Sequence, residues 1–523
     1  MSTEGRAKLS VLIVVEAGCL ARWVLNLADA LAAGWSAAVS IRIVDSAPQD
    51  SALASLLALE RIVLRGHRPV WTDRIDGSAL AGRLETDGTP APKVVIDLRH
   101  EPGGEWPART LVLTPRFNGQ CGETALASAL FFASTPRIEI VARAGDADPR
   151  VAASGFASLE AAQGIGGAME AVWSRVIPLI VKARGELSRK APLADPSGRE
   201  IQPISNRQLA SYGAKAVSRA AARAAYRLCC HAPHWRVGWR RIAEGGDVWS
   251  RRDLAGARWN VLGDPGDHFY ADPFPAFRDG RDWLFFEDLD HKTGKGIISV
   301  VGFGEDGRPG QVEPVLEEPW HLSYPFLIEE DGETYMVPEA SLSGEIAIYR
   351  ATDLPRGWVK EAVLVSGVEA ADATIIRHDG SYWMFAVTRD GSGGYSDTLA
   401  IWHAPALFGP WTPHARNPVL VDDRAARPAG NMVVRDGQLW RPVQDCRNGY
   451  GAALGLARVT QLDPDRYDQQ VETVLTPNAD WPGRKLHTQN YNGRIEAIDG
   501  SVIRPKLGVL AGIVEARTKP AGQ

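Results

Sequence analysis

Four stretches of the C-terminal half repeat one phrase: ADPFPAFRDGRDWLFFED at residues 271–288, SYPFLIEEDGETYMVPEA at 323–340, DATIIRHDGSYWMFAVT at 372–388 and RPAGNMVVRDGQLWRPVQD at 427–445. Each begins small or polar, runs through an apolar strand to Asp-Gly, and returns in a second strand that carries an aromatic residue. Asp-Gly between alternating apolar runs signals a hairpin, because glycine accepts the positive φ that a two-residue turn demands. The turn glycines Gly280, Gly332, Gly380 and Gly437 lie 52, 48 and 57 residues apart, and a weaker fifth copy starts near His487 and turns at Asn492-Gly493, 56 residues further on. A period near 50 residues with one hairpin per unit predicts the blades of a β-propeller, five of them here. Unrelated hairpins in a β-sandwich are the alternative, and the near-constant spacing argues against them.

The tryptophans mark where this half begins. Twelve of the 17 lie from Trp235 onward, so the chain divides compositionally near that residue. Trp283, Trp383 and Trp440 fall on second strands, where large rings wedge between neighbouring blades, while Trp358 and Trp411 come later in their repeats and pack outer strands. A net charge of −5 over 523 residues disfavours a nucleic-acid partner, and the length allows two to four domains. Cys19, Cys121, Cys229, Cys230 and Cys446 show no paired spacing, which points to a reducing, cytoplasmic setting. No window of about 18 uninterrupted apolar residues occurs, so no transmembrane helix is expected.

Residues 1–160 read as a separate α/β domain. The apolar run at 9–15 suits a parallel strand covered on both faces, residues 19–31 recur at helical spacing, and strand-like and helix-like segments alternate through 37–44, 53–64, 94–98, 111–114 and 138–142. An open sheet follows, with ligands expected at the carboxyl ends of its strands. The first strand-to-helix turn, Glu16-Ala17-Gly18-Cys19, lacks the glycine pattern of dinucleotide sites. The order of elements resembles the N-terminal domain of formyltransferases, in which a strand leads into an Asn-x-His motif. The matching stretch, TLVLTPRFNGQCG at 110–122, has Asn118 but no histidine two residues on. The resemblance therefore implies a degenerate formyltransferase-like domain kept for structure or docking, with a repurposed site as the lesser alternative.

Residues 161–234 read as a helical, basic connecting region. An apolar helical pattern around Met169, Val172, Val176 and Ile180 gives way to the polar, proline-containing SRKAPLADPSGREIQPIS. Between 205 and 252, ten Lys or Arg face only Glu244 and Asp247, and the segment predicts a helix rich in Ala and Arg. Such a helix either lies on an anionic membrane or meets an anionic lipid-linked substrate, or it packs its alanine face on a neighbour; the scarcity of large apolar residues favours the packed helix.

The repeats carry a resemblance. YADPF from Tyr270, ATIIRHDGSYW after Asp372, and Gly409-Pro410-Trp411 ahead of Asn417-Pro418 are similar to the five-bladed propeller glycosidases of glycoside hydrolase family 43 and to invertases. The series WRVGWR, FYADPF, WLFFED, SYPF, YMVPEAS, RPAG and RPVQD resembles more closely the N-terminal propeller domain of glucosamine inositolphosphorylceramide transferase and its bacterial relatives, over residues 235–523. In that plant transferase the sugar-transferring domain is a separate one, and nothing in this sequence looks like it.

In a blade, the start of the first strand and the end of the second share a face. That gathers Asp272, Asp372, Arg427 and His487 from strand starts, and Glu287, Asp288, Glu339, Arg389 and Asp445 from strand ends, into a polar funnel. Glycosidic-bond cleavage needs two carboxyl groups flanking the bond. The family 43 resemblance implies Asp272 as general base and Asp372 as the residue that orients substrate and tunes the acid. The general acid usually opens the fourth blade in Glu-Gly-Pro, where this chain has Arg427-Pro428-Ala429-Gly430. Either Glu339 or Glu287 then supplies the acid, its pKa raised by burial or a neighbouring carboxylate, or the funnel binds a glycan without cleaving it.

Glu287, Arg389, Arg427, Asp445 and His487 form the expected substrate-binding set. Arg427 either clamps an anionic sugar or phosphate through its planar fork or pairs with Asp445. His487 resembles channel histidines that hold a structural calcium in some relatives, a buried structural histidine being the commoner reading; no other cofactor is expected. The sequence thus predicts a carbohydrate-active protein that hydrolyses or transfers at a glycosidic bond of a glycan or glycolipid. The alternative is a non-catalytic glycan-binding or scaffold protein of polysaccharide or glycoconjugate biosynthesis.

Overall fold

The computed structural model describes residues 8–45, 51–63, 70–80, 82–132, 135–145, 147–186, 204–243, 245–389, 391 and 393–518. It divides into two compact units, Met1–Ala216 with Asp390–Gly394, and Val217–Arg389 with Tyr395–Gln523.

The N-terminal unit is built on β1 (Leu9–Glu16), α1 (Arg22–Gly34), β2 (Ala37–Val44), α2 (Ser51–Val63), β3 (Val94–Asp97), β4 (Leu111–Phe117), β5 (Gln120–Cys121), α3 (Gly122–Phe132), β6 (Arg137–Ala144), β7 (Arg150–Phe156) and α4 (Gly164–Glu186). The sheet order is β2-β1-β3-β4-β6-β7, with β5 folded back on β4. The first four strands run parallel and the last two antiparallel, so the expected open sheet is mixed. Val11–Val15 are buried on both faces, as a central strand covered on both sides requires. On one face Trp23 of α1 stacks on Trp173 of α4 at 4.0 Å, and Phe117 meets the same ring edge-on.

Helix α4 falls in the region 161–234 that the sequence presented as a connection, yet it packs inside this unit. Met169, Val172, Trp173, Val176, Ile180 and Ala183 are buried at helical spacing. Its stretch Gly164–Gly185 is long and apolar enough to cross a membrane, which the sequence had not suggested, but most of it is covered by the unit's own core. Most of the polar linker that follows lies outside the described residues. The chain resumes as α5 (Asn206–Cys229), which buries no residue at all. The alanine face that the sequence expected to pack on a neighbour is exposed instead.

The second unit holds five four-stranded sheets, one of them with an extra short strand, as the repeat predicted. Blade 1 comprises His268–Arg278, Arg281–Asp290, Lys295–Phe303 and Pro309–Leu316; blade 2, Ser323–Glu330, Glu333–Glu339, Glu345–Asp353 and Arg356–Ser366. Blade 3 comprises Ala370–His378, Ser381–Thr388 and Thr398–Ala404 with the short Thr412–Pro413 and Leu420–Val421; blade 4, Val433–Arg435, Gln438–Asp445, Ala453–Asp463 and Arg466–Leu475. The hairpin turns are of the predicted kind: Asp279-Gly280, Asp331-Gly332, Asp379-Gly380 and Asp436-Gly437 all have positive φ at both residues.

Blade 5 is closed by chain from far upstream. Its inner hairpin is Gln489–Tyr491 with Ile495–Ser501, and its outer strands are Trp235–Arg241 and Asn260–Val261, in the register Asp499↔Val237 and Ser501↔Trp235. A one-turn helix, α6 (Val248–Arg251), lies between the two outer strands, and the described chain ends in α7 (Gly508–Thr518). A separate apolar cluster fills each blade interface. Trp383 packs between blades 3 and 4 and Trp440 between blades 4 and 5, beside the fully buried Trp259 and Trp481. Trp283 packs on the cluster between blades 1 and 2, with Trp358 from an outer strand.

Candidate functional site

The inner ends of the blades follow two rules. Four residues after the aromatic position of each second strand the chain places Glu287, Glu339, Val387, Gln444 and, in blade 5, Asp499; all five are buried. On the first strands of blades 1 to 3 a β-bulge slips the register, between Ala271 and Phe274, Ser323 and Phe326, and Ala371 and Thr374. The bulged residues Asp272, Tyr324 and Asp372 have φ of 49°, 43° and 57°. Such a bulge re-aims a side chain. For tyrosine this conformation is a true outlier, and the surrounding structure has to over-determine it. Its hydroxyl shares a hydrogen bond with Thr374 of blade 3 at 2.8 Å and accepts the Gly430 N–H of blade 4 at 2.7 Å, so the ring reaches across the channel.

Three linked groups result. In the first, Asp499 accepts the backbone N–H of Asp272 (3.1 Å), His487 (3.1 Å) and Thr488 (3.0 Å), and pairs with His487 Nδ1 at 2.6 Å. The Thr488 hydroxyl donates to Asp272, and Trp235 stacks on the His487 ring at 3.9 Å. In the second, Arg427 Nε donates to Asp372 at 2.6 Å, Gln444 donates to the same carboxylate at 3.3 Å, and the Arg427 guanidinium lies over Tyr450. In the third, Glu339 accepts from the Ser323 hydroxyl (3.1 Å) and the Ser341 N–H (2.9 Å), while Glu287 lies 3.4 Å from His321 Nε2. His321 Nδ1 accepts the Gly296 N–H at 2.9 Å, which leaves the proton of the neutral ring on Nε2, facing Glu287.

Crowding acids in a buried channel makes ionisation costly. Burial, then the charges of Asp499 and Asp372, push Asp272 up to about 7 against the opposing pull of His487 and Thr488. Burial, followed by Asp272, Glu339, Asp499 and Asp372, lifts Glu287 well above the usual carboxylate range. Burial also raises Asp372, outweighing its contact with Arg427. Burial alone lowers His487, but Asp499 and Asp272 reverse this and hold the imidazole above its ordinary value. His321 is held below its own by burial.

Asp272, Asp372, Glu287, Glu339 and His487 are therefore brought together. Arg427 joins them, but its partner is Asp372, not the expected Asp445. Asp445 bonds Arg447 at 2.9 Å and leaves the inward position to Gln444, one residue earlier; the alternation of a strand puts neighbours on opposite faces. Asp288 is displaced for the same reason and bonds His268 and Ser299. Arg389 stands apart, half-exposed, beside Glu369 at 3.6 Å and the Tyr395 ring. The sequence argument missed Asp499, Thr488, Tyr324, Gln444 and His321. Aligning SYPF with ADPF would have found Tyr324, and counting four residues along each second strand would have found Gln444 and Asp499.

Asp272, His487 and Asp499 each offer a ligand atom within 4.8 Å of the others. In the structure those atoms contact one another and Thr488: His487 Nδ1 pairs with Asp499, and the Thr488 hydroxyl donates to Asp272.

A five-bladed β-propeller with an acid-lined channel, preceded by a mixed α/β unit, is the class that the fold and the channel define. Residues 255–499 match the family described as glucosamine inositolphosphorylceramide transferase 1, N-terminal. Two proteins of that name, from Oryza sativa subsp. japonica and Arabidopsis thaliana, are each 33% identical over 230 residues. The matched segment is 42% of this chain and 31% of the rice protein, and 43% and 29% for the Arabidopsis protein, so the chain spans about a third of its relatives. Among solved structures, the family 117 glycoside hydrolase Zg3597 of Zobellia galactanivorans aligns over 51% of this chain and 90% of its own at 12% identity and a TM-score of 0.34. The RS223 β-xylosidase aligns over 46% of this chain and 96% of its own at 10% identity and a TM-score of 0.34.

Proposed function

We propose that the channel acts on a glycolipid or glycan by transfer or hydrolysis at a glycosidic bond, with Glu287 as general acid and Asp272 as general base. The observation that supports this reading is the buried pair of unlike carboxyls: Glu287 pushed well above the usual carboxylate range by burial and four neighbouring acids, and Asp272 raised to about 7 and hydrogen-bonded by Thr488. Glu287 gives its proton to the departing glycosidic oxygen, with its second oxygen steadied by His321. As the sugar C–O bond breaks, Asp272 takes the proton of the water or acceptor hydroxyl that forms the new one. Arg427 and Gln444 fix Asp372 for contact with sugar hydroxyls. A glycolipid is placed first because the relatives are named glucosamine inositolphosphorylceramide transferases.

The N-terminal unit, in the same reading, is a degenerate formyltransferase-like domain. Its Asn118 side chain accepts the Arg137 N–H at 2.9 Å and so shapes a strand junction; an assay with a formyl donor should show no transfer.

A second reading is supported by one specific feature. Blade 4 brings a guanidinium, Arg427, where related propellers are expected to bring the acid, and this suits recognition without cleavage. Screening aryl glycosides, glycans and glycolipids against the wild type, Asp272→Asn, Glu287→Gln and Glu339→Gln separates the two. Turnover lost in Asp272→Asn and Glu287→Gln supports the enzyme; sugar binding without turnover, surviving all three changes, supports the recognition module.

A further inference from the structure

We propose that the propeller docks on an anionic lipid bilayer through α7 and the second half of α5, with the mouth of its channel toward the lipid headgroups. That a lipid-borne substrate enters there rests on the function proposed above; the docking itself rests on the geometry alone.

Two helices with exposed apolar side chains meet here, α5 touching the propeller through Tyr226 beneath the Arg484 guanidinium. Helix α7 and the residue before it expose Leu507 (67%), Val509 (82%), Leu510 and Ile513, while Ala511 turns inward. Val509 and Ile513 stand one turn apart with Leu510 beside them, and so form one apolar stripe. Four large apolar side chains within seven residues are a patch, unlike scattered surface leucines. On α5, Val217 and Leu228 (77% exposed) are eleven residues apart, about three turns, and share a face. Arg219, Arg223 and Arg227 repeat every fourth residue along another face, and Asn206–Cys229 contains no acidic residue.

A short ladder joins the two helices. Arg504 pairs with His231 and Pro505 with Cys230, the Lys506 N–H donates to the Cys229 carbonyl at 2.9 Å, and Lys506 Nζ reaches the Arg227 carbonyl at 2.8 Å. The start of α7 is thereby fixed beside the end of α5. The same two chain segments lead back to the channel, where Val502 bonds His234, Ser501 pairs with Trp235, and Asp499 lies two residues further in. From Asp499 to Leu507 is eight residues, at most about 26 Å of extended chain. Second strands end on the face that bears the acid cluster, and this short segment ties the patch to that end of blade 5.

An apolar stripe on α7 and a row of arginines on the neighbouring α5 are together matched by a surface of acyl chains under anionic headgroups. A second copy of this chain is a poorer occupant, since the row Arg219, Arg223 and Arg227 would face its own copy with no acidic residue of α5 to answer it.

Vesicle flotation of the full chain tests this, with phosphatidylcholine alone and with phosphatidylserine added. The protein should float with the anionic vesicles at low salt and be released at about 1 M salt, where screening shortens to about 3 Å. Leu507→Asp/Val509→Asp/Ile513→Asp and Arg219→Glu/Arg223→Glu should each lower the bound fraction about tenfold or more, and Val509→Leu should not. A thermal melt of each variant controls for folding. Turnover of a water-soluble glycoside should be unchanged in these variants, which separates failed docking from a failed assignment of function. Absence of flotation at low salt, binding indifferent to both sets of changes, or a dimer in light scattering that the apolar substitutions dissolve would overturn the proposal.

Discussion

Asp272 concentrates the residue-scale argument. Its native carboxyl is raised to about 7, while an unfolded aspartate titrates near 3.9. Between those values the native state holds a proton that the unfolded state has released, so stability falls as pH rises from about 4 to about 7. Urea melts across that range should show a steeper fall for wild type than for Asp272→Asn, which keeps the side-chain shape and tolerates the positive φ. Arg427 gives a second prediction. Removing it leaves Asp372 buried and unpaired, so Arg427→Ala should cost about 3 kcal/mol or more, and adding Asp372→Ala should return part of the loss in chemical denaturation. The acids at repeat-aligned positions, Asp272, Asp372, Glu287 and Glu339, were legible because each copy of the phrase indexes the next. Asp445 and Arg389 were misjudged because a strand turns its face at every residue, and a list of polar residues near its end does not record which face each occupies.

At the scale of the element, the Asp-Gly turns were the clearest text in the sequence, since a two-residue turn is a local demand that a local dipeptide answers. Gly380→Ala, at φ 79°, should lower stability by about 1 kcal/mol without changing the fold. The closing of blade 5 was not legible. Its outer strands come from residues some 250 positions before its hairpin, and no local pattern announces a partner at that distance. The structure shows what the pairing needs: a Cβ on Gly238 would stand 2.6 Å from the Trp481 ring, which itself fills the interface of blades 4 and 5. Gly238→Val should therefore destabilise the propeller by about 1–3 kcal/mol or more in thermal melts, through overpacking at the closure.

Across the whole molecule, composition marked a change near Trp235, whereas the compact units divide at Ala216 and Val217, and the repeat predicted the number of blades. What neither held was the role of the fifth channel acid. Asp499 sits in a copy whose turn is Asn492-Gly493 and whose second strand has Ile495 at the aromatic position, so only the closed ring reveals that it anchors His487 and the backbone of Asp272. The helices carry the complementary lesson. Alanine and arginine at helical spacing foretold α5, but whether its alanine face found a neighbour was a question of tertiary packing, and among the described residues that face is exposed.

The claim on which the rest depends is that the channel's unlike carboxyls break a glycosidic bond. The most direct measurement is kcat for the wild type, Glu287→Gln and Asp272→Asn on a glycolipid or aryl glycoside selected by the screen, with sugar binding followed in parallel. The account predicts turnover by the wild type and a loss of about 10²–10⁴-fold in each variant, with the bound sugar retained. Turnover that survives Glu287→Gln undiminished, or tight sugar binding with no turnover by any of the three, would contradict it.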